Sequence, residues 1–430
     1  MPKTINIVIT VNSPGEVAGW LKPTVTALKS TSEGASYRIT VFIPPCTFAS
    51  GTEKAVVESI PEVDLAVDAK GLFGLLLLGK IPAGFDPDRP GLVLFLGGDL
   101  TYAMFLGKKL RYPSIAYTEG IANWTNLDRY AVPYEHTARK LAGKRIPAGK
   151  IRVIGNLMLD AAVSRTAPEE TRKLLKIGAR PLLLLLPGSR PAHFEYMVPF
   201  LIQVAEGVKA RIPDLAICFG MSPFVTEAHL KQALTGPDVK LFGHSGVYCG
   251  GGLTGHGVTD GENPGLVRTE GGIEIMALWG RQYDLMAAAD LAVAIPGTNT
   301  FELAAFGTPA MIALPLTHPE RVPLEGIPGL IGRIPGVGRA LKKRLVPRII
   351  AKMKYTAWPN RLAQEMVIPE LRGQVTAMDV SQAAVDLLTD TGKRAEMSRR
   401  LKGLVGAPGA AGRLAQLIRE ILEERYGDIW

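Results

Sequence analysis

The sequence is short of cysteine, of long apolar runs and, over one window, of acid. Its three cysteines, Cys46, Cys218 and Cys249, stand far apart with no CxxC pair. That argues against a disulfide framework and a structural zinc site, and it suits a reducing compartment. The longest apolar runs, Leu75 to Leu78 and Leu182 to Leu186, fall far below the roughly 18 residues a membrane span needs. No charged-then-apolar secretory segment precedes the first strand pattern, so the expected place is the cytoplasm, free or peripheral on the inner face of the cell membrane. Between Glu325 and Glu365 there is no acidic residue but nine basic ones, and that window carries the whole net charge of +9.

With 430 residues, 47% hydrophobic and 21% charged, the chain suits a globular protein of two or three domains. Short apolar runs repeatedly give way to glycine-containing turns and then to helical spacing, the pattern of an α/β protein with parallel sheets. From Trp279 to Pro315 the chain reads as helix, strand, loop, helix and strand. The apolar run Leu291 to Ile295 stops at Pro296-Gly297, and Thr298-Asn299-Thr300 leads into a helix with Glu302 in its first turn and Gly307 at its end. Ligands of open parallel sheets bind outside the carboxyl ends of the strands, so Glu302 could bridge two ribose hydroxyls while the new helix end receives a phosphate. The plainer alternative is an acid that only complements its own helix dipole.

Other strand ends carry candidates too. Leu182 to Leu186 runs into Pro187-Gly188-Ser189-Arg190, where small residues and a helix start could cradle a diphosphate and Arg190 could neutralise it. The run from Gly91 to Leu96 delivers Gly97-Gly98-Asp99, and Asp99 is either a general base or a helix cap. After Ile5 to Thr10, a loop from Val11 to Gly19 holds Glu16 between Gly15 and Gly19, where glycine lets the backbone approach a ligand. Asp86-Pro87-Asp88 precedes a strand rather than following one and is assigned no metal role; no metal is expected elsewhere. Leu215 to Met221 and Val239 to Phe242 read as strands. The glycine-rich stretch from Gly243 to Gly272 is either a binding loop or an excursion of little consequence, and it lacks the geometry of a dinucleotide fingerprint, which argues against NAD. From Gly326 to Lys354, apolar residues interleave with Arg339, Lys342, Lys343, Arg344 and Arg348 in a basic amphipathic segment broken by Pro335 and Pro347. Such a segment suits an anionic bilayer. Nucleic acid is the competing partner, weakened by the lack of interleaved aromatics.

Three of these stretches together resemble the lipid-A-disaccharide synthase family. They are Pro296 to Glu302 preceded by Ala287-Ala288-Ala289-Asp290, then Leu185 to Arg190, and then Trp358-Pro359-Asn360 followed by Pro369-Glu370-Leu371. The resemblance implies the α/β GT-B architecture, two Rossmann-like domains with parallel sheets facing across a cleft. Residues 1-165 would form the acceptor-binding domain, 166-400 the UDP-sugar-binding domain, and 401-430 a helix crossing back to the first. It implies an inverting glycosyltransferase that needs no cofactor beyond the UDP-sugar and moves that sugar to a lipid-linked acceptor. Gly188, Ser189, Arg190, Gly297, Thr298, Asn299, Thr300, Glu302 and Asn360 would hold the donor, and Asp99 and Glu16 would serve catalysis. Arg339, Lys342, Lys343, Arg344 and Arg348 would touch the membrane, and no nucleic acid would be needed. Gly15, Glu16 and Gly19 match the family's first loop, and Trp124 fits an aromatic segment loosely. Ala18, Trp20, Lys22 and the single Asp99 depart from the family pattern in the first domain, which puts the acceptor half in doubt, and Gly373 stands in the donor half where the family has a glutamine. The alternatives are a UDP-sugar 2-epimerase and a non-catalytic membrane or nucleic-acid binder on the same scaffold.

Overall fold

The computed structural model describes residues 3–31, 35–45, 51–118, 126–250, 264–319 and 337–427. The chain divides into two compact units, Met1–Ala161 with Gly406–Trp430, and Ala162–Val405. Trp124 and Pro335, singled out in the sequence, lie outside the described residues.

The first unit is built on seven parallel strands: β1 (Lys3–Thr10), β2 (Ala35–Phe42), β3 (Leu65–Val67), β4 (Gly91–Phe95), β5 (Ser114–Tyr117), β6 (Arg129–Val132) and β7 (Ile151–Val153). Their order, β3-β2-β1-β4-β5-β6-β7, means that the chain moves outward from β1 and then returns to its other side at β4. That reversal opens a crevice between the carboxyl ends of β1 and β4. Both faces of β1 are buried, as a central parallel strand requires. The helix Ala410–Tyr426 is part of this unit: Arg413 Nε donates to the Ile154 carbonyl at 2.7 Å and the Tyr426 hydroxyl donates to the Gly91 carbonyl at 2.9 Å.

The second unit repeats the plan. Its strands are β8 (Leu182–Leu186), β9 (Ala216–Met221), β10 (Gly246–Tyr248), β11 (Gly265–Thr269), β12 (Glu274–Trp279), β13 (Leu291–Ala294), β14 (Ala310–Pro315) and β15 (Glu370–Gly373). The sheet order is β10-β11-β12-β9-β8-β13-β14-β15; β11 runs antiparallel to both of its neighbours, β10 and β12, and every other pair is parallel. The switch point lies between β8 and β13, which pair directly from Leu183–Leu291 to Leu186–Ala294. The five leucines of β8 are all buried, which explains why the run shows no alternation.

Two expectations need correction. Val239–Phe242 is a short helix rather than a strand. Pro237 presets the turn, the Leu241 amide donates to the Asp238 carbonyl, and Gly243 closes the segment with a left-handed φ of 68°. The basic segment is not broken at Pro347, because the helix Val337–Lys352 runs through it. The proline deletes one backbone donor, and neighbouring Val346, fully buried against Leu316, anchors the helix. The described parts of the glycine-rich stretch form β10 and β11.

Candidate functional site

In the second unit the sequence candidates meet at the switch point. The loop after β8 turns at Gly188, whose φ of +102° and whose close approach to Ile295 exclude a side chain; a Cβ would lie 2.5 Å from Ile295 Cδ1. Gly188 thereby seats the first loop directly on the end of β13. Half-buried Arg190 takes the N-cap position of the helix Pro191–Lys209, with proline at the first helical position. Across the switch point, Thr298 takes the N-cap position of the helix Asn299–Phe306 without a side-chain cap bond, and Gly307 ends it at a φ of 70°. Thr300 Oγ1 donates to the Gly297 carbonyl at 2.8 Å and accepts from the Trp358 amide at 3.0 Å, so it shapes the loop from inside. The side-chain oxygen of Asn299 is buried and, among the described residues, has no donor. A buried acceptor left open at a helix start leaves room for a donor from water or from a ligand.

Glu302 sits one turn in and is 9% exposed. Tyr283, on the helix Gln282–Ala288, donates its hydroxyl to Glu302 Oε1 at 3.1 Å. Burial pushes the Glu302 carboxyl up to about 7, and the tyrosine hydrogen bond opposes that rise only partly. The Tyr283 hydroxyl is pushed up in turn by burial and by the neighbouring carboxylate. Sequence reasoning missed Tyr283; the only signal was the one aromatic residue in the helix Gln282–Ala288.

Asn360, expected as a donor contact, has another task. It is fully buried; its Nδ2 donates to the Ile368 carbonyl and to Glu370 Oε1, both at 2.8 Å. Its Oδ1 accepts from the amides of Val367 at 2.7 Å and Ile368 at 2.9 Å. Every donor and acceptor of the amide is thus committed inside the protein, and Asn360 braces the loop ahead of β15. Glu370 completes this brace by accepting from Thr356 and from the amide of Ala357.

In the first unit the two loops of the switch point also touch. Ser13 caps a helix that begins at Pro14, so Glu16 and Gly19 lie on a helix and not in an open loop. Glu16 completes a capping box, accepting from the amides of Asn12 at 3.2 Å, Ser13 at 3.1 Å and Gly98 at 3.4 Å. Burial raises its carboxyl above the usual range against these hydrogen bonds. Glu16, a sequence candidate for catalysis, therefore ties the loop after β1 to the loop after β4. Gly19 is small for packing: a Cβ there would meet Met158 Cγ at 2.9 Å. Asp99 is exposed and caps the helix Leu100–Leu110, accepting from the Thr101 amide at 2.9 Å. The Trp20 ring nitrogen is a buried donor without a partner among the described residues.

Of the basic candidates, Lys343, Arg344 and Arg348 are exposed on the helix Val337–Lys352. The side chains of Arg339 and Lys342 lie outside the described residues. No helix among the described residues is long and apolar enough to cross a membrane.

No protein-family model matches the chain. Curated relatives include the lipid-A-disaccharide synthases of Prochlorococcus marinus, 26% identical over 63% of this chain and 58% of that one, and of Gloeothece citriformis, 24% identical over 70% and 64%. That of Solibacter usitatus is 26% identical over 69% of this chain and 59% of its own. The match thus spans about three fifths of the length of these relatives. Among solved structures, S. aureus MnaA with UDP aligns over 98% of this chain and 97% of its own at 13% identity, with a TM-score of 0.56. The UDP-GlcNAc 2-epimerase of Methanocaldococcus jannaschii aligns over 97% and 99% at 14% identity and a TM-score of 0.52. These likenesses show the fold, the α/β plan of two Rossmann-like units named GT-B. By sequence the chain is a divergent relative of the lipid-A-disaccharide synthases.

Proposed function

We propose that the chain is a UDP-sugar-dependent glycosyltransferase that moves a sugar, as in an acylated glucosamine donor, onto a lipid-linked acceptor by inverting displacement. The observation that carries this reading is the second switch point. A buried carboxylate, an unpartnered Asn299 oxygen and two helix starts converge at the carboxyl ends of adjacent strands β8 and β13. Glu302 takes the two ribose hydroxyls, and the helix starts with Arg190 hold the diphosphate as it gains charge on leaving. The exposed carboxylate of Asp99 removes the proton from the acceptor hydroxyl; that oxygen bonds to the anomeric carbon while the bond to the UDP oxygen breaks.

A lipid-linked acceptor is supported by the surface of the same unit. Phe73, Leu77, Leu78, Ile81 and Phe105 are all exposed, Leu77 to 77% and Leu78 to 69%. They lie on the helices Ala69–Leu78 and Leu100–Leu110 and, for Ile81, just after the first of these, and Lys70, Lys80, Lys108 and Lys109 on the same elements are exposed too. An apolar patch set among lysines suits the boundary of an anionic bilayer. The helix that presents Phe105 is the one capped by Asp99, which couples docking to the acceptor site. The exposed Lys343, Arg344 and Arg348 would add attraction from the second unit.

Calorimetric titration with UDP, and with NAD as contrast, tests the donor site. UDP binding that weakens in Arg190→Ala is expected, and no UDP binding would overturn the reading. The 2-epimerase alternative is favoured by the solved structures of that name, which align over nearly the whole chain. Conversion of UDP-N-acetylglucosamine to its 2-epimer without any acceptor would select it.

A further inference from the structure

The helix Leu100–Leu110 has Asp99 at one end and a cavity at the other. The cavity, about 290 Å³, opens where β5 begins, at the amino ends of the strands and so on the opposite edge of the sheet from the switch point. Lys108, Arg111 and Arg425 line it, with Asp128 as the one acid. Asp128 Oδ2 is committed to the start of β5, accepting from the Ser114 amide at 2.7 Å and from Ser114 Oγ at 3.2 Å. Among the described residues none of the three cations has a carboxylate partner. The lining therefore carries two net positive charges, and it also includes Met104, Tyr112 and Pro113.

The backbone at Arg111 adds a second observation. This residue ends the helix in the left-handed conformation, with φ of 59°. Glycine is the residue that suits that position, and a side chain there costs about 1 kcal/mol. The chain carries an arginine at that cost, as it does at Arg145, and Arg111 is among the residues that line the cavity.

We propose that this cavity binds a small dianionic phosphate monoester. Two guanidinium forks match phosphate oxygens two at a time, and the lysine supplies a point charge beside them. The volume lies near the lower bound of ligand pockets, about 300 Å³, which fits a phosphate on a short polar stem and not a nucleotide. The phosphate comes either from a free metabolite or from a lipid headgroup.

The full chain is titrated by calorimetry with inorganic phosphate and with glycerol 3-phosphate. In parallel it is sedimented with phosphatidylcholine vesicles with and without phosphatidic acid. Arg111→Gly removes the charge and relieves the backbone, so its melting temperature holds or rises and a lost affinity cannot be ascribed to misfolding. Arg425→Ala tests the other fork. Saturable binding that falls at least tenfold in each variant, with UDP affinity unchanged, supports the site. Seen with the free phosphates, it identifies a soluble ligand; seen only with phosphatidic acid vesicles, a headgroup. No saturable binding in either arm, or binding that both variants retain, overturns it.

Discussion

Glu302 offers the most demanding test, because one carboxyl links stability and affinity with opposite signs. In the free protein burial holds it at about 7, so near pH 5.5 it is largely protonated. Two ribose hydroxyls are donors and require the ionised form. Between about pH 5.5 and about pH 8 the ionised fraction rises roughly thirtyfold, so UDP affinity should climb by roughly 2 kcal/mol over that range. The terminal phosphate of UDP also loses a proton near pH 6 and pulls the same way, with a second pKa of about 6. Glu302→Gln separates the two: it keeps the phosphate contribution and removes the carboxyl step. The stability sign is the reverse. A carboxyl raised on folding carries no penalty below its unfolded value and a full one above about 7. Glu302→Gln should therefore gain between about 1 and about 3 kcal/mol of stability near pH 8 and nothing near pH 4. The assays are calorimetric UDP titrations and urea unfolding across this pH range. Parallel affinity profiles for wild type and Glu302→Gln would refute the ribose role, whatever the stability result.

Asn360→Ala should cost about 2 to 4 kcal/mol in urea unfolding, because it leaves the buried Glu370 carboxylate and the amides of Val367 and Ile368 with fewer partners. A loss of UDP affinity at unchanged stability would instead return Asn360 to the donor site. Asp99→Asn retains a good helix cap, so it should fold and bind UDP normally while turnover falls by roughly 10² to 10⁴. Normal turnover would exclude Asp99 as the base. Leu77→Glu with Leu78→Glu should release the chain from anionic vesicles, and Lys343→Glu with Arg344→Glu and Arg348→Glu should weaken the same sedimentation at low salt; if neither set matters, docking by these surfaces is excluded.

Much of the plan could be read along the chain because its signals are local. The leucines of β8 and the run ending at Pro296 announce central strands, and Gly307 announces a helix end. Val239 to Phe242 misled because three apolar residues around Lys240 are too few to show a period; Pro237 before them and Gly243 after them decide for a turn of helix. The loop after β1 misled for a different reason. Gly15 and Gly19 suggest an open loop, yet Ser13 with Glu16 three residues on is a capping box, and Pro14 suits the first helical position. The pairing of Tyr283 with Glu302 could not be read at all, because it depends on how two helices pack.

The two units share one device at their switch points, and it can be broken in each separately. In both, the loop after the first central strand braces the loop after its returning neighbour. Glu16 does so by accepting from Gly98, with Gly97 so close that a Cβ would lie 2.1 Å from the Glu16 carboxyl carbon. Gly188 does so by seating on Ile295. What remains for a ligand is the helix start after the returning strand: Asp99 in one unit, Asn299 and Glu302 in the other. Gly97→Ala must displace the buried Glu16 carboxylate, so Asp99 loses its position and turnover should drop at least tenfold while UDP affinity stays within about twofold. Gly188→Ala meets both a left-handed backbone and Ile295, so UDP affinity itself should fall at least tenfold, about 1.4 kcal/mol or more. Steady-state turnover and UDP calorimetry on both variants decide the matter. If Gly97→Ala weakens UDP as much as Gly188→Ala does, the division of labour between a donor unit and an acceptor unit is wrong.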